Sequence, residues 1–130
     1  MQRKKIEKII SFLVVFFIIG GIIFFFYQKS KAPGEYDLVA KCLTEKGVLM
    51  YGAWWCPHCK AQKDEFGKSF DYIKYIECAL PGQTSGKQTK ECEDAGIKGY
   101  PTWKFQDGTV LEGDQSINKL AEIAKCEIQK

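Results

Sequence analysis

The 130-residue chain has a single histidine, four prolines and two methionines. The one histidine lies inside the one close cysteine pair, Cys56 and Cys59, which has no second pair of similar spacing. A structural zinc site needs four ligands, commonly in two such clips. No metal and no cofactor is therefore expected. The chain also lacks internal repeats, and its folded part lacks net positive charge. Residues 1–32 hold six Lys/Arg against one Glu, and residues 33–130 hold thirteen Lys/Arg against fifteen Asp/Glu. The formal +3 thus belongs to the N-terminal flank, and a nucleic-acid binder, which wants a basic patch on its folded body, is not indicated.

Charge is missing altogether from Ile9 to Tyr27, "IISFLVVFFIIGGIIFFFY". A helix of nineteen residues at about 1.5 Å rise spans roughly 28 Å, close to a hydrocarbon core of about 30 Å. A signal peptide has a shorter apolar region. Ser30 and Ala32 form a small-x-small pair, but Pro33 would follow the cut, so an uncleaved anchor is expected. Arg3, Lys4, Lys5 and Lys8 precede the span, and Lys29 and Lys31 follow it. This imbalance predicts the N-terminus in the cytoplasm and the body on the extracytoplasmic side of the cytoplasmic membrane. The expected organisation is a basic flank over 1–8, a transmembrane anchor over 9–27, a tether over 28–35 and a domain over 36–130.

Six cysteines are present, all after the span. That number outside a membrane fits an oxidising compartment. Along the body, Tyr36 to Lys46 reads as a helix with Leu38, Val39, Cys42 and Leu43 on one side. "VLMYGA" (48–53) reads as a strand buried on both faces. Residues 57–66 form a largely exposed helix, 71–78 a second strand, 79–88 a loop and 88–96 a short helix ended by Gly96. "TWKF", Asp107-Gly108 and "TVLEG" make a β-hairpin signature. Ser116 is a good N-cap for a last helix with Ile117, Leu120, Ala121 and Ala124 on its apolar face. The fold class is α/β, a mixed central sheet flanked by helices and preceded by one transmembrane helix.

In "AWWCPHC" (53–59), Cys56 falls where a buried strand gives way to a helix. The unpaired N–H groups and positive dipole end there favour a thiolate, the nucleophilic form of cysteine. Cys59, one turn on, can reach back to resolve a mixed disulfide on Cys56. Pro57 suits the first helical turn. His58, when charged, adds a cation beside the thiolate and makes the disulfide a stronger oxidant. A purely structural Cys56–Cys59 disulfide is the bland alternative. Trp54 and Trp55 are candidates for the surface around the reactive sulfur or for core. In "GYPT", a proline entering a strand points to a cis bond at Tyr100–Pro101. Such a bond would bring the backbone of Gly99, Tyr100, Pro101 and Thr102 beside the cysteine pair to hold a substrate chain.

"WCPHC" followed by "GYPT" before a hairpin and a terminal helix resembles the thioredoxin superfamily over residues 36–126. "YGAWWCPHC", "YIEC" and "AGIKGYPTW" are most similar to the thioredoxin-like domain fused to bacterial homologues of vitamin K epoxide reductase, here in a free-standing, anchored form. The resemblance implies a thioredoxin-like fold, Cys56 and Cys59 as the catalytic pair, and Pro101 as the cis-proline. It also implies a Cys78–Cys92 disulfide closing the polar loop, and a membrane redox partner resembling vitamin K epoxide reductase. Cys42 and Cys126 then remain, one in each outer helix, and pair by elimination only if their Cα atoms lie within about 7 Å. One departure stands out. Thioredoxin and protein disulfide isomerase usually carry a buried acid six residues before the first active cysteine, where this chain has Met50.

The same Cys-Pro-His-Cys sequence occurs in the periplasmic oxidant DsbA. The function expected is an extracytoplasmic thiol–disulfide oxidoreductase that gives disulfides to secreted protein thiols. A reductase or isomerase is the alternative direction, and a non-catalytic binding or chaperone module the alternative class.

Overall fold

The computed structural model describes residues 2–30, 33–84 and 86–128. Met1, Lys31, Ala32, Ser85 and residues 129–130 lie outside the described residues, and with them part of the expected flank, tether and loop and half of the small-x-small pair. Two compact units are present, residues 1–32 and 33–130. The first is one helix, α1 (Gln2–Ser30), with large apolar side chains exposed on every side. It is long and apolar enough to cross a membrane.

The second unit runs α2 (Asp37–Glu45), β1 (Leu49–Gly52), α3 (Pro57–Phe66), a 3₁₀ helix (Gly67–Tyr72), β2 (Tyr75–Glu77), α4 (Lys90–Asp94), β3 (Thr102–Lys104), β4 (Val110–Glu112) and α5 (Ile117–Ala124). The sheet order is β2-β1-β3-β4. β1 pairs in parallel with β2 and antiparallel with β3, and β3 pairs antiparallel with β4. This is the mixed α/β, thioredoxin-like architecture that the motifs imply.

β1 is central, and Met50, Tyr51, Gly52 and Ala53 are all buried, as a continuous apolar run of strand length requires. The hairpin closes as Asp107 accepts the Thr109 N–H and Gly108 takes φ 90°, a backbone angle that favours glycine. Ser116 caps α5 by accepting the Lys119 N–H at 3.3 Å. The α5 residues Ile117, Leu120, Ala121 and Ala124 join Val39, Ala40, Leu43, Phe66 and Trp103 in the main core.

Two local expectations shift. The strand expected over 71–78 shrinks to Tyr75–Glu77, because residues 67–72 wind into the 3₁₀ helix. Ser69 and Ile73 are buried and Phe70 half-buried, a spacing nearer three or four than two. On α2 the buried stripe is Val39, Ala40 and Leu43, which leaves Leu38 54% exposed. At about 100° per residue, Val39, Ala40 and Leu43 fall within one arc of about 100°, and Leu38 lies roughly 150° from its centre, on the opposite side of the helix.

Candidate functional site

β1 ends at Gly52, and the chain turns through Ala53, Trp54 and Trp55 into α3. The turn is held by the Cys56 N–H donating to the Ala53 carbonyl at 3.0 Å. Cys56 occupies the N-cap of α3 with extended backbone, and Pro57 takes the first helical position. A proline there costs no hydrogen bond, since that N–H has no partner inside the helix. The i, i+3 spacing sets Cys56 and Cys59 on one side of the first turn. Both are free thiols, 5% and 1% exposed.

The peptide Tyr100–Pro101 is cis, and the Cys56 thiol donates to the Tyr100 carbonyl at 3.6 Å. The segment ahead of β3 is thus held against the cysteine pair by backbone. Trp55 packs edge-on to the Tyr100 ring at 6.0 Å, and the Tyr100 hydroxyl donates to Gln88 at 2.8 Å. A cavity of about 540 Å³ opens beside Cys56, lined by Trp55, Ala79, Gln88, Ile97, Gly99 and Tyr100 among others. Of the residues named from sequence as a substrate surface, Trp55, Gly99 and Tyr100 line this cavity. Trp54 is 55% exposed outside it. Pro101 and Thr102 are buried, with the Thr102 hydroxyl donating to the Gly99 carbonyl at 2.8 Å.

The other four cysteines are paired. Cys78–Cys92 and Cys42–Cys126 are disulfides with Cα separations of 5.7 and 5.9 Å. The first fastens the end of β2 to α4, on the same side as the cavity. Its loop is also closed by a bridge between Ala79 and Gln88. Among the described residues, no group of three or more His, Cys, Asp and Glu side chains is placed to hold a metal ion.

His58 stands on the exposed first turn of α3, with Nδ1 2.9 Å from Asp114 Oδ2. Their side chains are 67% and 46% exposed, and pairs this open are worth about 0–1 kcal/mol. Asp114 was not legible as a partner, since it lies 56 positions away. Nor was Gln62, which is 1% exposed. Its side chain accepts from the Gln115 N–H at 2.8 Å and the Trp103 indole at 3.3 Å, and donates to the Gln115 carbonyl at 2.9 Å. This buried amide joins α3 to β3 and to the turn carrying Asp114. A lone Gln on a helix read as largely exposed gives no warning of that task.

Burial pushes the Cys59 thiol up to about 12, with the neighbouring Cys56 adding to the rise, and a hydrogen bond from the Ala53 backbone and, less, Lys63 opposing it. Burial likewise raises the Tyr75 and Tyr100 phenols. For Cys59 the raised value means that the folded, dithiol form holds this proton more tightly than the unfolded chain. Its contribution to stability is complete below the ordinary thiol value of 9.0 and is lost as pH climbs towards about 12. At about 1.4 kcal/mol per unit, the loss is on the order of 4 kcal/mol. Denaturant midpoints of the dithiol form between pH 8 and about 11 should fall more steeply than those of Cys59→Ala. Parallel curves would show that the thiol is not perturbed.

No family model matches the chain. Among curated proteins it is similar to "Thiol-disulfide oxidoreductase LTO1" of Arabidopsis thaliana, 44% identical over 87 residues, covering 65% of this chain and 23% of that protein. A "Protein disulfide-isomerase-like protein EhSep2" of Emiliania huxleyi is 27% identical over 104 residues, 74% of this chain and 46% of that protein. A "Probable protein disulfide-isomerase A6" of Medicago sativa is 32% identical over 91 residues, 64% of this chain and 25% of that protein. These relatives support the thioredoxin superfamily. The chain spans less than half the length of each of them.

Proposed function

We propose that this chain is a thiol–disulfide oxidoreductase whose working pair is Cys56 and Cys59, with protein thiols and disulfides as substrates. One observation carries the reading: the two thiols left unpaired share the first turn of α3, with Cys56 facing the Tyr100 carbonyl at the mouth of a cavity. The names of the relatives support the same chemistry.

In the oxidising direction, a substrate thiolate attacks Cys56 of the Cys56–Cys59 disulfide. The Cys56–Cys59 bond breaks, a mixed disulfide forms on Cys56, and Cys59 leaves and takes a proton. A second substrate thiol then attacks the mixed disulfide, and the substrate departs oxidised while Cys56 and Cys59 remain reduced. Tyr100 and Gly99 offer backbone groups along the groove to an extended substrate segment, and Trp55 forms its apolar wall.

The direction we propose is oxidation of secreted proteins, with α1 spanning the cytoplasmic membrane, the basic flank inside and the second unit outside. The Cys42–Cys126 and Cys78–Cys92 bridges favour an oxidising compartment. The Cys-Pro-His-Cys sequence supports the same direction, since a charged His58 would favour the reduced form and hence disulfide donation. Reoxidation would fall to a membrane redox partner resembling vitamin K epoxide reductase. The reverse direction is the second reading, favoured by the relatives named as isomerases.

Equilibration of the pair with glutathione separates the two readings. Active-site pairs on this kind of scaffold span about −270 to −120 mV. The oxidant reading expects a value in the upper part of that range, together with a mostly oxidised pair on thiol trapping in cells. A potential near the lower end, with the pair mostly reduced, would assign the opposite direction.

A further inference from the structure

The Cys59 sulfur is 1% exposed, yet the chemistry proposed above requires it to lose and regain a proton. A hydrogen bond from the Ala53 backbone reaches it, and the ionisable groups that act on it or feel it are Cys56, Lys63, Tyr75 and Tyr100. Met50, one strand pair away and opposite Tyr75 in the sheet register, is fully buried and has no ionisable group. His58 is turned to Asp114 at the exposed surface. On β2, the neighbour of β1, Tyr75 and Glu77 project from the same face, since alternate strand residues share a side.

Gly52 shows how close they come. A Cβ placed on Gly52 would lie 2.8 Å from Cys59 Sγ, 2.8 Å from Tyr75 Cε2 and 3.0 Å from Tyr75 Oη. The thiol and the phenol therefore converge on the one site in β1 that has no side chain. A strand glycine here is a close-approach device rather than a weak point. The Tyr75 hydroxyl donates to Glu77 Oε2 at 3.0 Å. Glu77 Oε1 in turn accepts the Trp54 N–H at 3.1 Å and the Ala79 N–H at 2.9 Å, which fixes the carboxylate beside the active-site turn. The Glu77 residue is exposed, so its outer side meets solvent.

Resting on the thiol–disulfide reading, we propose that Tyr75 and Glu77 are the proton path of Cys59. When Cys59 resolves a mixed disulfide, the Cys59–Cys56 sulfur bond forms and the bond from Cys56 to the substrate sulfur breaks. The substrate leaves as a thiolate, taking the electron pair of the broken bond. The proton of Cys59 passes to the Tyr75 oxygen while the Tyr75 proton passes to Glu77, which releases it to water. In the opposite direction the same path returns a proton to Cys59 as it leaves the disulfide.

The remaining charged and titratable groups facing this path are consistent with it. From α3, Lys63 Nζ stands 3.6 Å from the Tyr75 ring centroid and favours negative charge at the thiol as the proton departs. Cys56 lies on the same turn, and Tyr100, from the segment ahead of β3, is close enough to feel Glu77 and both thiols. Neither Cys56 nor Tyr100 is hydrogen-bonded to Glu77. Burial that holds the Cys59 thiol up to about 12 makes unaided proton loss at neutral pH rare. A neighbouring acceptor is worth most in that situation.

The test uses the full chain in detergent micelles, with Cys56 and Cys59 reduced, mixed with 5,5′-dithiobis(2-nitrobenzoate). The first release of thionitrobenzoate reports attack by Cys56. The second phase, independent of reagent concentration, reports displacement by Cys59. Tyr75→Phe and Glu77→Gln should each lower the rate of the second phase relative to the first by about 10²-fold near neutral pH, the scale of general acid–base catalysis. In both, the second rate should climb about tenfold per pH unit, against a flatter profile for the unaltered chain. Glu77→Asp should restore part of the rate. Unchanged second-phase rates and pH profiles in both variants would overturn the path while leaving the thiol–disulfide reading intact. Absence of a second phase in the unaltered chain would overturn both. Glu77→Gln keeps an oxygen for the Trp54 and Ala79 N–H groups, so it decides the matter alone if Tyr75→Phe fails to fold.

Discussion

Cys56→Ser should lower protein thiol–disulfide exchange at least about 10³-fold, down to background, in an assay that follows oxidation of a reduced, unfolded protein. A serine hydroxyl does not ionise near neutral pH and cannot form a mixed disulfide. Cys59 cannot deputise for it. That sulfur is 1% exposed, and with its thiol pushed up to about 12 only about one part in 10⁵ is thiolate at pH 7. Cys59→Ala should behave differently. Cys56 keeps its place at the N-cap of α3 and its groove, so it still attacks disulfides once. The mixed disulfide then persists for want of a resolving thiol and is visible as a higher-mass band on non-reducing gels. Loss of exchange in this assay with full function of Cys56→Ser kept in the cell would leave the fold as a binding module with an incidental cysteine pair.

The second large effect concerns stability. The Cys42–Cys126 bridge joins α2 to the second residue past the end of α5, across a sequence separation of 84. In the loop-entropy account, a closed loop of that size is worth about 4–5 kcal/mol, whereas the Cys78–Cys92 loop, with a separation of 14, is worth about 3 kcal/mol. Cys42→Ser with Cys126→Ser should therefore reduce the folding constant by about 10³-fold, and more than Cys78→Ser with Cys92→Ser. At about 4–8 °C per kcal/mol for a domain of this size, the melting temperature should drop by roughly 20 °C or more. Denaturant titration of the two double variants checks the order. Equal losses would mean that the unfolded chain is already compacted around Cys42 and Cys126.

Local chemistry explains which features were readable in advance. The run "VLMYGA" announced a strand buried on both faces because only such a strand tolerates unbroken apolar residues. Asp107-Gly108 announced the hairpin, and Ser116 the start of α5, because turns and caps are decided within three or four residues. The cysteine pair was legible for the same reason: a strand, a turn and a helix N-terminus follow one another directly. The strand expected over 71–78 starts only at Tyr75, because Tyr and Ile in short alternation over 72–76 suit a strand and a tight helix alike. Packing of Phe70 against Phe66 and Tyr75, at 6.3 and 5.9 Å between ring centroids, accompanies the second choice.

The sequence by itself determined the apolar N-terminal helix, the sheet-and-helix class, the exchange-competent spacing of Cys56 and Cys59, and a proline-bearing segment placed to meet them. The tertiary structure alone decided what surrounds those thiols. Glu77 comes beside the active-site turn because β2 pairs with β1 in the register that sets Gly52 opposite Glu77 and Met50 opposite Tyr75. Asp114 reaches His58, and Gln62 becomes a buried hub, because the turn before α5 folds back onto α3. Cys42 finds Cys126 because α2 and α5 share one core. Each of these depends on strand register or helix packing between residues far apart in the chain. Periodicity and motif spacing report only the order of neighbours, so no pattern within one segment could have revealed them.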